Sequence, residues 1–312
     1  MNRRTARALA LLTTAGLLLT ACAAGQAEEG NAPPEETTTE QSTAMPDASG
    51  DFGEAPTFEF PSEQAPEGLQ VEVLSEGDGP QVQEQAVVVA HYAGIVWGDQ
   101  ETFDDSYSRE TPSMFSLNSV VQGWTQGIPG HAVGSRLLLS IPSELGYGPS
   151  GGNADAGIGP DDTIVFVVDL VEAYGPDATG QSDATEVSGA DALPVAVTGG
   201  LGEPASVAVP DGAEEPSEVE TIVIAEGDGE PVAMGQSVAI GYATTAWDGS
   251  PAGSSWASDA GRGAGPYAGF VGTGSIVDML VDVPVGSRVV VLTPPSEESP
   301  AYAHVVDVLA AH

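Results

Sequence analysis

Hydrophobic and polar residues alternate in one segment of the chain, and longer apolar runs follow it. Leu69–Leu74 alternates with a period of two, which is typical of a strand with one buried face. Gln85–Tyr92, Arg136–Ile141 and Thr163–Val171 are apolar runs rich in valine, isoleucine or leucine. Runs of this length and composition predict strands that are buried on both faces.

One short stretch has helical rather than strand periodicity. Val120, Val121 and Trp124 recur at helical spacing and give Ser119–Gly127 one apolar face, and Ser119 is a favourable N-cap residue. A single helix among several antiparallel strands predicts an α+β fold, in which a curved antiparallel sheet wraps on one short helix.

The pattern occurs twice along the chain. The Glu-Gly-Asp-Gly sequence within Ser75–Gly79 returns within Ala225–Gly229, at an offset of 150 residues, and a tyrosine follows at the same distance in both copies. Each copy opens with a proline-bounded alternating segment, Pro56–Pro61 or Pro204–Pro210, which predicts an edge strand. A fixed offset of this length indicates two copies of one fold.

These patterns divide the chain into five segments. The expected segments are a lipoprotein signal peptide (1–21), a disordered acidic tether (22–55), a first domain (56–175), a mobile polar linker (176–202) and a degenerate second domain (203–312).

Charge excludes one class of partner. The 312 residues include 46 acidic and 7 basic residues and no lysine, for a formal net charge of −39. Nucleic acids are polyanions and would be repelled by such a surface, so we expect no nucleic-acid partner.

The first residues resemble a bacterial export signal. Arg3, Arg4 and Arg7 precede the apolar stretch Ala8–Leu19, which is short for a membrane span. The stretch ends in Leu-Thr-Ala-Cys at Cys22, which resembles a lipobox, and no other cysteine is present to form a disulfide. We expect a lipid on Cys22 that anchors the protein outside the cytoplasmic membrane. The alternative is an ordinary signal with a chance cysteine beside it.

Six short motifs in the first copy occur in the order and spacing of a known family. Together they make Leu69–Tyr174 resemble an FK506-binding-protein (FKBP)-type peptidyl-prolyl cis-trans isomerase, and the whole chain resembles tandem-domain exported lipoproteins of actinobacteria. The motifs are His91-Tyr-Ala-Gly94, Phe103-Asp104, Val120-Val-Gln-Gly-Trp124, Val133-Gly-Ser-Arg136, Tyr147-Gly148 and Val165-Phe-Val-Val-Asp-Leu170.

The resemblance implies an aromatic pocket for a proline ring. Trp124 would form its floor, and Tyr92, Phe103 and Phe166 its walls. Ser113 stands where a second phenylalanine is common, so one wall is expected to be lower. The resemblance also implies that the pocket accepts proline-containing exported polypeptides, with a hydrophobic residue before proline preferred, and that macrolides of the FK506 type are candidate ligands.

The polar roles also follow from the resemblance. The Val121 amide and the Tyr147 hydroxyl would donate hydrogen bonds to the peptide. Asp104 would face the peptide carbonyl, and Arg109 would orient Asp104. The remaining contacts would come from Val120 and Val121 on the helix edge and from Ile158 in the flap loop.

The residues themselves suit a reaction that breaks no bond. The sequence has no nucleophile–base pair and no cluster with metal-ligand spacing, so we expect neither a cofactor nor a metal. Rotation about an amide has a barrier of about 18–20 kcal/mol that resonance creates. A dry aromatic pocket that prefers the twisted amide would lower this barrier.

The second copy has lost most of these residues. At the offset of 150, Gly253-Ser254 replaces Phe103-Asp104. A shorter loop then replaces the flap, so His304 falls opposite Phe166. Of the pocket residues only Tyr242 is retained. We therefore expect isomerase activity in the first copy and a fold without activity in the second. The alternative is a lipoprotein that binds clients or acts as a scaffold through an isomerase-like fold without catalysis.

Overall fold

The computed structural model describes residues 44–61, 64–187, 193–256 and 263–312, all of which belong to the compact unit Gln41–His312. The expected signal peptide, Cys22 and residues 22–43 of the expected tether lie outside the described residues. We call residues 44–175 the first repeat and residues 176–312 the second repeat.

Within residues 44–61 and 64–175, the first repeat forms eight strands and one α-helix. They are β1 (Asp47–Ala48), β2 (Phe58–Glu59), β3 (Gln70–Ser75), β4 (Val87–Val96), β5 (Thr102–Asp105), β6 (Ser113–Ser116), α1 (Gln122–Gly127), β7 (Arg136–Ile141) and β8 (Ile164–Tyr174).

Six of these strands form one antiparallel sheet. Its strand order is β3-β7-β8-β4-β5, and β6 also pairs with β4. The helix α1 packs so closely on the sheet that a Cβ atom at Gly123 would lie 2.4 Å from the side chain of Ile141. The sequence prediction of an α+β fold, with a curved antiparallel sheet on one short helix, is confirmed. The predicted buried strands correspond to β4, β7 and β8, whose central residues are buried on both faces.

The predicted start of the helix is wrong. The N-cap of α1 is Val121, which makes no side-chain capping hydrogen bond, and Ser119 lies outside the helix. The backbone N–H of Ser119 instead donates to the Ser116 carbonyl in the turn after β6. The short helix is therefore held by tertiary packing of Trp124 rather than by a cap.

A hairpin covers the outer face of the first sheet, where the sequence predicted a disordered tether. β1 pairs with β2, so residues 44–55 are folded, and this corrects the expected tether boundary at residue 55. Met45, Ala48 and Phe58 pack on the outward side chains of the sheet, among them Leu138 and Val165. The sequence pattern failed here because the apolar residues of β1 are too few to show a period.

A buried ion pair fastens this hairpin to the sheet. Arg136 and Asp169 are direct cross-strand neighbours, with Nη1 2.9 Å from Oδ2, and their side chains are 1% and 0% exposed. The same guanidinium donates to the carbonyls of Asp51 and Glu54 at 2.7 and 3.0 Å. The Gly53 amide in turn donates to Asp169 at 2.6 Å.

The described residues of the second repeat form nine strands. They are β9 (Thr185–Glu186), β10 (Ala196–Thr198), β11 (Ser206–Ala208), β12 (Glu220–Glu226), β13 (Ser237–Ala246), β14 (Pro251–Ser254), β15 (Tyr267–Phe270), β16 (Arg288–Thr293) and β17 (Tyr302–Ala311).

The second sheet has the order β14-β13-β17-β16-β12-β9, and β15 also pairs with β13. A 3-10 helix, Ile276–Leu280, lies between β15 and β16, where the first repeat has its α-helix. β9 and β10 fall inside the range predicted as a mobile linker, which corrects that boundary. The hairpin of β10 and β11 covers this sheet as β1 and β2 cover the first, and Arg288 holds it through Asp307 and the carbonyl of Glu203.

Close packing, rather than turn geometry, explains the glycines of the repeated Glu-Gly-Asp-Gly motif. A Cβ atom at Gly77 would lie 2.2 Å from the Val133 carbonyl oxygen, and one at Gly227 would lie 2.3 Å from that of Val285. Neither glycine has a positive φ, so the motif is not a turn that needs left-handed backbone at these positions. The motif is retained in both repeats because it packs against the loop before β7 or β16.

The outer faces of the two sheets also contact each other. Val87 of β4 is buried in one cluster with Ala239 of β13 and with Leu309 and Ala310 of β17. The Asn118 side-chain amide donates to the Ala264 carbonyl across this contact at 2.9 Å. The valine run of β4 is therefore apolar on both faces because one face packs on the helix layer and the other on the second repeat and the hairpin.

Within the described residues, no helix is both long enough and apolar enough to cross a membrane.

Candidate functional site

An aromatic cavity of about 290 Å³ opens between the sheet and the N-terminal end of α1 in the first repeat. Trp124 is only 3% exposed and forms its base. Its ring meets those of Phe115 and Phe166 edge-on, at centroid distances of 5.1 and 5.3 Å, and that of Tyr92 at 5.9 Å. Edge-to-face packing of this kind fixes ring orientations. The cavity is therefore a rigid apolar recess.

A glycine on β4 makes room for two of the rings. Gly94 lies opposite both Asp104 and Phe166 in the sheet. A Cβ atom there would lie 2.5 Å from the Phe166 ring and 2.6 Å from the Phe103 ring. Phe103 and Phe166 can thus meet edge-on over this position, at a centroid distance of 5.6 Å. The glycine of the His-Tyr-Ala-Gly motif is required by this close approach.

Three polar side chains form a network at one wall of the cavity. The Tyr92 hydroxyl donates to Asp104 Oδ2 at 2.5 Å, and Arg109 Nη1 donates to Asp104 Oδ1 at 2.9 Å. Arg109 Nη2 also donates to the Tyr92 hydroxyl at 2.9 Å. Burial, together with the hydrogen bond to Asp104, raises the pKa of Tyr92 to about 12. Tyr92 therefore stays protonated, and Asp104 is held in one orientation.

The backbone fixes this network in place. β5 carries Phe103 and Asp104 and pairs with β4. Ser106, which is fully buried, accepts a hydrogen bond from the Tyr92 amide through Oγ at 2.9 Å, and its own amide donates to the Tyr92 carbonyl at 2.9 Å. The 3-10 helix Tyr107–Arg109 follows directly and brings Arg109 back to Asp104.

Tyr147, which lies just before the flap loop (residues 149–160), supplies the remaining polar group of the cavity. Tyr147 lines the cavity, and burial, with a smaller contribution from the charge of Asp104, raises the pKa of its hydroxyl. The flap closes on itself through the paired backbones of Asn153 and Ile158, at 2.8 and 2.9 Å. Tyr147 thus presents a protonated hydroxyl near Asp104 at the cavity.

The structure brings most of the sequence-predicted site residues to this cavity. Arg109 contacts it through Asp104 and Tyr92, and Ile158 is buried in the same hydrophobic cluster without lining it. The predicted residues that line the cavity directly are Tyr92, Phe103, Asp104, Val120, Val121, Trp124, Tyr147 and Phe166. Their functional roles remain predictions.

Sequence reasoning missed Phe115 and Ser119. Both line the cavity. The wall expected to be low at Ser113 is formed by Phe115, whose ring lies 5.3 Å from that of Tyr92. The available signal was that Phe115 lies two residues after Ser113, because residues two apart in a strand point to the same side.

The second repeat lacks the equivalent walls. By strand register, Gly253 occupies the position of Asp104 and Ala252 that of Phe103, so the expected match of Phe103-Asp104 with Gly253-Ser254 is wrong by one residue. The β13–β14 connection is one residue shorter, which shifts the correspondence. His304 does lie opposite Thr244, as Phe166 lies opposite Gly94, which agrees with the sequence prediction.

His304 makes the second repeat sensitive to acid. Its Nδ1 lies 2.8 Å from Thr244 Oγ1, and burial lowers its pKa to about 4. An unfolded histidine titrates near pH 6.5, so the folded state prefers the neutral ring. The associated stability is complete above about pH 6.5 and is lost as the pH falls towards 4, by about 3 kcal/mol in total.

The measurement is urea unfolding of the wild type and His304→Gln between pH 4 and 7.5. We expect the difference in unfolding free energy between the two proteins to change by most of this amount across that pH range. A pH profile of His304→Gln that runs parallel to that of the wild type would contradict the assignment.

The fold and the cavity together define a class. An antiparallel sheet packed on one short helix, with an aromatic cavity at the start of that helix, is the arrangement of a peptidyl-prolyl isomerase domain. A family model described as "FKBP-type peptidyl-prolyl cis-trans isomerase" matches residues 79–171.

Known relatives agree with this class. The chain is 41% identical over 120 residues to a protein of Streptomyces anulatus named "FK506-binding protein", across 38% of this chain and 96% of the relative. It is 40% identical over 121 residues to a "Probable FK506-binding protein" of Corynebacterium glutamicum, across 38% of this chain and 99% of the relative. A crystal structure of FkpA from Escherichia coli shares 38% identity, with a TM-score of 0.31, over 34% of this chain and 48% of that chain. The chain belongs to the FKBP-type peptidyl-prolyl cis-trans isomerase family.

Proposed function

We propose that the first repeat isomerises prolyl bonds of exported polypeptides outside the cytoplasmic membrane, through the aromatic cavity around Trp124. The single observation that carries this proposal is the packed recess of Trp124, Tyr92, Phe115 and Phe166, whose floor is excluded from water. The recess lies beside the polar network of Asp104.

The mechanism is preferential binding of the twisted amide. Twisting removes resonance and reduces the charge on the carbonyl oxygen, so a dry apolar cavity favours the twisted state over the planar one. In the bound complex the proline ring sits on Trp124. The protonated Tyr147 hydroxyl and the Val121 N–H, which lies at a helix N terminus where amides have no intrahelical acceptor, hold the peptide backbone.

Asp104 is the electrostatic element of this mechanism. Its carboxylate is oriented by Tyr92 and Arg109 and faces the carbonyl before proline, where negative charge disfavours the planar, more polar amide. FK506-type macrolides are proposed ligands of the same cavity.

The test is a prolyl-peptide isomerisation assay on a protein that comprises residues 44–312. Cis-to-trans conversion of a leucine–proline peptide should be faster than in buffer, where it takes tens to hundreds of seconds. Rates equal to those in buffer, with the peptide still bound, would favour the non-catalytic client-binding or scaffold lipoprotein instead. The second repeat is proposed to be inactive, because the positions of Phe103 and Asp104 hold Ala252 and Gly253.

The proposed location rests on the export-signal pattern that ends at Cys22. We expect Cys22→Ser to release the protein from the membrane fraction into the medium, because one lipid-bearing residue would then be lost. The isomerase activity of the released protein should be unchanged. Tight membrane association of Cys22→Ser would contradict the lipid anchor.

A further inference from the structure

The arginines of the described residues are already paired with carboxylates. The described residues contain no lysine, and their arginines are Arg109, Arg136 and Arg288. Each forms an ion pair with an aspartate, at 2.9, 2.9 and 2.6 Å. Arg136 and Arg288 are buried, which leaves Arg109 as the exposed one, and Asp104 already neutralises it.

Three carboxylates stand next in the chain to residues that line the cavity, bind its lining or pack against its cluster, and we call them the rim. Asp105 follows Asp104 on β5, and Glu110 ends the 3-10 helix that carries Arg109. Asp155 lies in the flap beside Ala156, which packs against the same cluster as Tyr147. Among the described residues, Asp105, Glu110 and Asp155 have no arginine or lysine partner.

A peptide bound with its proline in the cavity must extend its flanking residues across this rim. The floor and walls are apolar, so they select the proline ring and leave the flanks to the rim. A cationic side chain there would meet carboxylates that no protein cation shields, whereas an anionic side chain would be repelled.

We propose that the cavity of the first repeat selects proline-containing segments flanked by lysine or arginine. This inference rests on the proposed isomerase function and specifies its substrate class. One charge pair acting through water contributes little, but the contributions of several rim carboxylates add together. Fields of this kind raise association rates by about 10-fold or more and weaken steeply with salt.

The experiment uses the full chain and three peptides with the same leucine–proline centre. Their flanks carry two lysines, two serines or two glutamates. NMR exchange spectroscopy measures kcat/KM without a protease, so the flanks cannot bias a coupling enzyme. At 10 mM NaCl we expect kcat/KM for the lysine peptide to exceed that for the glutamate peptide about 10-fold or more, and at 500 mM NaCl the difference should fall to about 2-fold.

A matched pair of variants locates the effect. Glu110→Gln with Asp155→Asn removes two charges at the cavity rim, and we expect the lysine-to-glutamate ratio at low salt to fall about 3-fold. Glu72→Gln with Glu76→Gln removes the same number of charges on β3 and directly after it, at the opposite edge of the sheet from β5, and should leave the ratio nearly unchanged.

The outcomes separate this inference from the function on which it rests. Catalysis above the buffer rate with equal kcat/KM for the three peptides would overturn the charge preference and leave the isomerase function standing. An equal loss of preference in the two double variants would overturn the assignment to the rim. Absence of catalysis with every peptide would overturn the isomerase function itself.

Discussion

Trp124→Ala abolishes most of the isomerase activity, with an expected loss of at least about 100-fold in kcat/KM, because the floor that positions the proline ring is removed. Trp124 also fixes the rings of Tyr92, Phe115 and Phe166, so the walls lose their packing partner. Removing a buried tryptophan leaves a cavity that costs about 3–5 kcal/mol of stability. Activity is therefore measured below the unfolding transition, where circular dichroism verifies that the variant is folded.

The second repeat offers a matched control for this change. Trp256 is equally buried, at 2% exposure, and its indole N–H donates to the Ala178 carbonyl at 2.8 Å. Trp256→Ala should cost a similar amount of stability and leave kcat/KM unchanged, because Trp256 lies in the other repeat. A comparable loss of activity in both variants would show that the loss in Trp124→Ala reflects stability rather than the cavity.

Arg136→Ala destabilises the first repeat by about 3–5 kcal/mol, the usual cost of leaving one charge of a buried ion pair without its partner. Asp169 would be left at 0% exposure without its cationic partner, and the carbonyls of Asp51 and Glu54 would lose their donor. Because these carbonyls belong to the hairpin of β1 and β2, we expect the hairpin to detach first. Limited proteolysis within residues 44–60, together with urea unfolding, measures both effects.

Arg109→Ala is the matched comparison. Its ion pair with Asp104 has the same 2.9 Å length, but the two side chains are 48% and 47% exposed. An exposed pair contributes only about 0–1 kcal/mol, so stability should hardly change. Activity should fall instead, since Asp104 and Tyr92 lose a shared donor. Equal losses of stability in Arg109→Ala and Arg136→Ala would contradict this account.

Most of the cavity could be predicted from the sequence because its residues belong to local motifs. Phe103-Asp104 sits on one strand and Val120–Trp124 spans the start of one helix, and each brings its neighbours along the chain with it. Phe115 was missed because its strand is short and has a serine at both ends, so the strand shows no alternation of hydrophobic and polar residues. The one-residue error at Gly253 arose because a fixed offset ignores the shorter β13–β14 connection.

The outer layer could not be predicted in this way. β1 and β2 are each two residues long, and they fold because Arg136 and Asp169, more than 80 residues away along the chain, hold their connecting loop. The sequence shows Arg136 only as the first residue of an apolar strand. Its role depends on which face of the sheet the hairpin covers.

The sequence by itself determined the main strands, the short helix, the duplication and, through the family motifs, most residues of the aromatic cavity, because hydrophobic period and motif spacing are local properties of the chain. The tertiary structure alone decided that the hairpins fold onto the sheets, that the two arginines of β7 and β16 are buried, and that the sheets pack on each other. It also decided that the exposed Arg109 forms an ion pair with Asp104 at the cavity. These features depend on contacts between distant segments, whose free energy comes from desolvation and charge pairing that no local pattern records.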